Sequence, residues 1–497
     1  MKYSTPSKQG INPKSIINFI DEMAREDIEL HGMVIIKNGY VVAEGYWKPY
    51  SKDRVHQLCS VTKTFTAMAI GFAIDEGYIS VKDTLCKFFP DKFSENVDER
   101  TKDITIHDLL CMASGFESEP SLIEADDAVK AFLSKKQINT PGTQFRYNSV
   151  GSHILSEIIY KVTGMQVSEY LKPRLFEPLG IKEFKWFKTP QGADFGGAGL
   201  HLTTMDIAKA GLLLMQKGEW EGKQILPRQW AESMAEKKID SVPEGPEWID
   251  WAEGYCYQMW CGTQEGSYRL DGAFGQYSMV FPNENMVIAF TAANNKRPLT
   301  KHIMKKYLFD TVNTEDAEGD KLLQEKLDTL SVKEPIIANR SETEKKVHSK
   351  TYYMEENEMS LVPLSERWFV CEYNSGIKSM QFDFYDKYML FRWNESGKIA
   401  CIKVGLDGEG IEDIHRASYW DRPLLSHAYW EDDDTLIVVI RSIEEWTTLT
   451  LRCVFEGDAV RVNMRETIKS FHEKYTELIG IQKEKTDYGK TIITFDN

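Results

Sequence analysis

The hydrophobic pattern of this chain changes period once, and that change limits its architecture more than any other feature. From Tyr352 onward the period is two. In Thr448–Phe455, Leu449, Leu451, Cys453 and Phe455 point one way while Thr448, Thr450 and Arg452 point the other, and Glu456-Gly-Asp then turns the chain into Ala459–Met464. Such half-buried strands joined by short turns predict an all-β meander or barrel. Before about residue 312 the pattern is mixed. Two β-branched runs flank Asn38-Gly39, the strongest short hairpin signal. Ser60–Gly77 is apolar almost all round, as a helix buried inside a domain would be. Helix-like segments follow at 106–112, 149–163 and 204–217, and strands return at 277–293 around a turn at Pro282–Asn285. Strands at both ends of a helical middle predict one antiparallel sheet flanked by helices, so the fold class expected is α+β with a C-terminal all-β domain.

At 497 residues the chain exceeds the roughly 250–300 at which a single core stops growing. The expected division is a mixed domain over 1–313, a linker over 314–350 rich in Glu, Lys and Asp, and a β-rich domain over 351–497. The Trp-rich β domain, with Trp393, Trp420, Trp430 and Trp446, forms either a packed core or a ligand-holding barrel.

Sixty Lys and Arg against 76 Asp and Glu leave a formal charge of −16, a poor balance for binding polyanions, so nucleic acid is not an expected partner. The N-terminal stretch has scattered charges and no apolar core of a secretory signal, which predicts a cytoplasmic location. The best apolar run, Ala67–Ile74, is far shorter than a membrane span, so no membrane partner is expected. Eight widely spaced cysteines are expected to be reduced, with Cys256 and Cys261 the only close pair. Neither C-x-x-C nor H-E-x-x-H occurs, and neither a metal nor another cofactor is expected.

The candidate chemistry lies in Ser60-Val-Thr-Lys63. A serine hydroxyl is a weak nucleophile that needs a base, and a lysine three residues on along a helix shares its face. A serine in the first helical turn also meets free N–H groups and the positive end of the helix dipole. The spacing alone is weak, because Ser375-Gly-Ile-Lys378 repeats it in the β-rich region, where alternation would separate the two side chains. Tyr147, after Pro141-Gly and before a helix, belongs in a cleft-lining loop or in a core. Near an ammonium its phenolate would be favoured, making it a proton carrier. Ser149 is either a substrate hydrogen-bond donor or a helix N-cap. Trp260, Asp271 and Gln276 are candidates to line a pocket, with a packing role as the simpler reading.

Several blocks, taken in order, resemble the serine β-lactamase and penicillin-binding-protein-like hydrolases, the S-x-x-K acyl enzymes. They are His56–Thr66, Ile104–Gly115, Pro141–Gly151, Gly196–Lys209, Glu253–Trp260 and Asp271–Pro282, and the resemblance covers about residues 10–310. It implies a β-lactamase/transpeptidase-like fold and an acyl-enzyme on Ser60, with Lys63 as general base and Tyr147 as proton relay. It places the backbone N–H groups of Ser60 and Ala273 as oxyanion donors, and an ester or amide of small size as substrate. Penicillin-recognising members carry Lys-Thr-Gly where this chain has Leu270-Asp-Gly, so the likeness is nearest to the esterase and 6-aminohexanoate-oligomer hydrolase branch. A D-amino-acid peptidase or weak β-lactamase is the alternative within enzymes. A non-catalytic binding protein that kept the fold is the alternative outside them, and the oligomeric state stays open.

Overall fold

The computed structural model of the chain describes residues 1–93, 97–241, 251–332, 337–361, 376–395, 397–415, 421–467 and 477–482. Contacts divide it into two units. Of the described residues, one unit takes in 1–332 and Ile443–Trp446, and the other takes in 337–361, 376–442 where described, 447–467 and 477–482.

The first unit is built on a seven-stranded sheet. Its strands are β1 (Lys2–Tyr3), β2 (Glu29–Lys37) and β3 (Tyr40–Tyr46) from the start of the chain. Three short strands, β4 (His56–Gln57), β5 (Lys185–Trp186) and β6 (Leu200–Leu202), form a separate small sheet. The large sheet resumes with β7 (Trp260–Cys261), β8 (Tyr268–Gly272), β9 (Gln276–Phe281) and β10 (Met286–Ala293), and its order is β1-β3-β2-β10-β9-β8-β7. All pairs are antiparallel except β1 with β3. The hairpin between β2 and β3 turns on Asn38 and Gly39, both at positive φ (53° and 78°), as a twist-matched two-residue turn requires.

Alternation decides what each face of this sheet buries. Met33, Ile35, Tyr277, Ile288 and Phe290 face one core with Ile16, Phe19 and Ile20 of helix α1 (Pro13–Arg25). Val34, Ile36, Val280, Val287 and Ala289 face the other, with helices α2 (Thr62–Asp75), α3 (Ser149–Thr163) and α4 (Thr204–Met215). Helix α2 is buried on every side, and its hydroxyls are all engaged. Thr62 donates to the Cys59 carbonyl at 2.7 Å, Thr64 to that of Gln258 at 3.0 Å and Thr66 to that of Gly196 at 2.9 Å.

Part of the segment expected as a linker belongs to this unit. After helix α5 (Arg297–Tyr307), helix α6 (Ala317–Asp328) places Leu323 and Leu327, with Leu330 beyond it, in the core shared with α1. Its charged composition hides an i, i+4 apolar stripe.

The second unit is a ten-stranded sheet: β11 (Thr351–Met354), β12 (Ile377–Phe384), β13 (Tyr388–Glu395), β14 (Lys398–Gly405), β15 (Ile411–His415), β16 (Arg422–Trp430), β17 (Thr435–Ser442), β18 (Thr448–Glu456), β19 (Ala459–Glu466) and β20 (Glu477–Gln482). The order is β14-β13-β12-β11-β20-β19-β18-β17-β16-β15, and a further pairing of β14 with β16 closes it into a barrel. Tyr352, Phe382, Phe391, Trp393, Trp430 and Phe455 fill the interior, and the cavity lined by Trp393, His415 and Arg422 has about 10 Å³, room for about one water. Trp446 belongs by its contacts to the first unit instead, its ring 4.8 Å from Phe274, and Trp420 lies outside the described residues. So does Ser375, while Lys378 stands in β12.

No helix among the described residues is long and apolar enough to cross a membrane. No group of three or more His, Cys, Asp or Glu among them could hold a metal ion. All seven described cysteines are free thiols.

Truncating Leu323 to alanine tests the place of α6. We expect a loss of about 2–4 kcal/mol in the stability of the first unit, read by calorimetry as a lower first-unit transition, whereas a linker residue would leave both transitions in place.

Candidate active site

Ser60 sits in a short 3₁₀ turn, Cys59–Val61, that leads directly into α2. Strand β4 brings the chain to this turn: the Leu58 N–H donates to the Leu200 carbonyl at 2.9 Å, and the Cys59 N–H to Gln57 Oε1 at 2.8 Å. Cys59 itself has φ 49°, a strained value for a residue with a side chain.

Lys63, in the first turn of α2, is 1 % exposed. Its Nζ lies 3.0 Å from Ser60 Oγ, 3.2 Å from Ser149 Oγ and 2.5 Å from the Gly197 carbonyl oxygen. Burial disfavours the ammonium and lowers its pKa to about 7, while the charges of Glu119 and Cys59 work the other way. The close approach of the Gly197 carbonyl depends on the absence of a side chain there, since a Cβ would run into the Ser149 carbonyl.

Tyr147 joins the same cluster. Its hydroxyl shares a hydrogen bond with Ser60, and Lys63 Nζ stands 4.9 Å from its ring centroid. The expectation that the neighbouring ammonium favours the phenolate is reversed. Desolvation around the hydroxyl pushes the phenol well above its usual 10, the negative charges of Asp271 and Glu119 add to this, and only the Ser60 hydrogen bond opposes it. The ring is 37 % exposed as a whole residue, and it stacks on Trp260 at 5.7 Å with 17° between planes. Trp260 packs in turn against Tyr255 at 4.9 Å and Phe145 at 5.4 Å.

Ser149 is not the N-cap of α3. Asn148 takes that place, with extended backbone and its side chain accepting the Gly151 N–H at 2.7 Å, which leaves the Ser149 hydroxyl for Lys63. Gln276 does not line a pocket. It is fully buried, and its amide is used by the Phe274 carbonyl and by both the N–H and carbonyl of Ala292. Asp271 is buried beside Arg269, which donates to it at 2.7 Å, with Lys301 at 4.0 Å. The end of β8 lies against the Cys59–Val61 turn, and a Cβ on Gly272 would strike the Leu58 carbonyl. The next residue, Ala273, directs its N–H toward the Cys59 thiol, one residue from Ser60. Leu270, in the place of the lysine of penicillin-recognising proteins, is fully buried.

Sequence reasoning missed the Gly197 carbonyl, the Asn148 cap and the Glu119 carboxylate. The first two stood inside quoted blocks, where Gly-Gly and Asn-Ser before a helix were the available signals. Glu119 carried none.

The family model described as Beta-lactamase matches residues 20–312. The 6-aminohexanoate-dimer hydrolase of Paenarthrobacter ureafaciens is 23 % identical over 312 residues, covering 57 % of this chain and 78 % of that protein. Protein flp of Staphylococcus aureus strain MW2 is 26 % identical over 186 residues, 34 % of this chain and 37 % of that protein. Among solved structures, EstCE1, a hydrolase with promiscuous acyltransferase activity, shares the fold with a TM-score of 0.51 at 14 % identity, over 60 % of this chain and 99 % of that one. With a family match over more than half of its length, this chain belongs to the beta-lactamase family.

Proposed function

We propose that the chain is a serine hydrolase that cleaves an ester or amide bond through an acyl-enzyme on Ser60. The observation that carries this reading is the buried Lys63 amine, 3.0 Å from the Ser60 hydroxyl, where burial lowers its pKa to about 7. A neutral amine accepts a proton, whereas an ordinary surface ammonium does not.

Ser60 Oγ attacks the carbonyl carbon and passes its proton to Lys63 Nζ. The carbonyl oxygen becomes an oxyanion that the Ser60 N–H stabilises, the expected second donor, the Ala273 N–H, being turned to the Cys59 thiol in this structure. Tyr147, kept as a neutral phenol, gives its proton to the leaving alcohol or amine and recovers one from Lys63. The bond to the leaving group breaks and an ester to Ser60 remains. Water then attacks that ester, losing its proton to the Tyr147–Lys63 pair, and the acid is released with Ser60 restored. Ser149 holds the amine in place, and Trp260 forms a wall behind Tyr147.

Membership of the family and likeness to a 6-aminohexanoate-dimer hydrolase support hydrolysis of an acyl bond. Leu270 in place of a lysine favours a substrate other than a β-lactam, because no ammonium stands there to pair with its carboxylate.

A fluorophosphonate probe should add covalently to Ser60 and fail to label Ser60→Ala, with intact-mass spectrometry as the readout. Lys63→Ala should lower the labelling rate by about 10²–10⁴. Short p-nitrophenyl esters should be hydrolysed in preference to nitrocefin. Because the base must be deprotonated, kcat/KM should fall as pH drops through about 7, approaching tenfold per unit below it. A profile flat from pH 5 to 9 would remove Lys63 from the role of base.

A further inference from the structure

Glu119 takes no part in the steps above, yet it stands one residue removed from the base. Its Oε2 accepts the Ser149 N–H at 2.6 Å and the Val150 N–H at 3.3 Å, and the Ser149 hydroxyl is 3.2 Å from Lys63 Nζ. Asn148 caps this helix through the Gly151 N–H, and Glu119 takes the two N–H groups before it, so its carboxylate joins the first turn of the helix to the residue whose hydroxyl meets the amine. The loop that carries it is pinned on its N-terminal side. The Glu117 N–H donates to the Lys136 carbonyl at 2.9 Å, Arg146 donates to the Glu117 carbonyl at 3.0 Å, and Phe116 is buried. Glu119 is thus exposed but placed, close enough for its charge to act on both Lys63 and Tyr147.

We propose that Glu119 is a positioning residue for the Lys63 base, clamping Ser149 and the first turn of α3 against the amine while keeping one negative charge beside it. The proposal rests on the reading of Lys63 as base. The groups that face this amine are the Ser60 and Ser149 hydroxyls, the Gly197 carbonyl and the Tyr147 ring, and the titratable groups whose fields reach it are Glu119 and Cys59. Burial favours the neutral amine and the Glu119 carboxylate favours the ammonium, so the two together decide at what acidity the base is free. The clamp and the charge are separable. Glutamine keeps an oxygen for the Ser149 and Val150 N–H groups and loses the charge, whereas alanine loses both.

The test uses the full chain with ¹³Cε-labelled lysine, the Lys63 resonance being assigned by its loss in Lys63→Ala. Lys63 is titrated by NMR, and fluorophosphonate labelling of Ser60 is followed across pH. In Glu119→Gln both midpoints should move down by about half a pH unit or more, with the high-pH labelling rate within about twofold of the parent. Glu119→Ala should show the same movement and a further loss of about tenfold in the high-pH rate. An unmoved Lys63 midpoint in Glu119→Gln overturns the proposal, as does a Glu119→Ala protein with the parent's rate at high pH. If Glu119→Ala does not fold, the glutamine variant decides alone. A Lys63 resonance that moves as expected in a protein whose Ser60 never labels upholds the action of the Glu119 charge on the amine and overturns the acyl-enzyme reading instead.

Discussion

The site depends on placing a primary amine where water cannot solvate its charge. Lys63 is among the largest fully buried side chains of the molecule, and what surrounds its nitrogen is two hydroxyls, a carbonyl and an aromatic face. An ammonium in such a place loses more hydration than these dipoles return, so the proton is held loosely. Much of the first unit serves this condition. A helix apolar on all sides can be sunk into the middle of a domain, and α2 is such a helix, with its threonines answering the surrounding carbonyls. Two glycines then let main chain come close: Gly197 brings a carbonyl to the amine, and Gly272 lets the end of β8 lie along the turn that holds Ser60.

The division between what alternation and spacing reveal and what they conceal follows the range of the interactions. The β2–β3 hairpin and helices α3 and α4 were legible, because turn chemistry and apolar period are local and each occupies one stretch of sequence. The pairing of β2 with β10 was also foreseeable, as closure of a sheet by its terminal strands. Helix α6 was not, because Glu, Lys and Asp dominate its composition and only two leucines mark the buried stripe.

Within the site, Ser60, Lys63 and Tyr147 were named from motif order, and the structure brings them together. Gln276 shows the opposite case. An amide side chain reads identically whether it meets a ligand or neighbouring main chain, and here Ala292 of β10 and the Phe274 carbonyl take all of it. The protonation of Tyr147 was misread for a related reason. The attractive charge was visible in the motif, but the desolvation and the two carboxylates that outweigh it come from the packing and from distant parts of the chain.

Four residues with side chains, Cys59, Met112, Gln258 and Phe274, take up left-handed backbone in segments around the site. Cys59 has the most direct effect. Because the bend falls immediately before Ser60, the direction in which that side chain leaves the main chain is set by backbone torsion before any choice of rotamer. On the proposed reading, an exchange one position upstream re-aims the Ser60 hydroxyl while every other group of the cluster stays in place, so a backbone preference rather than a new side chain would retune the geometry of attack.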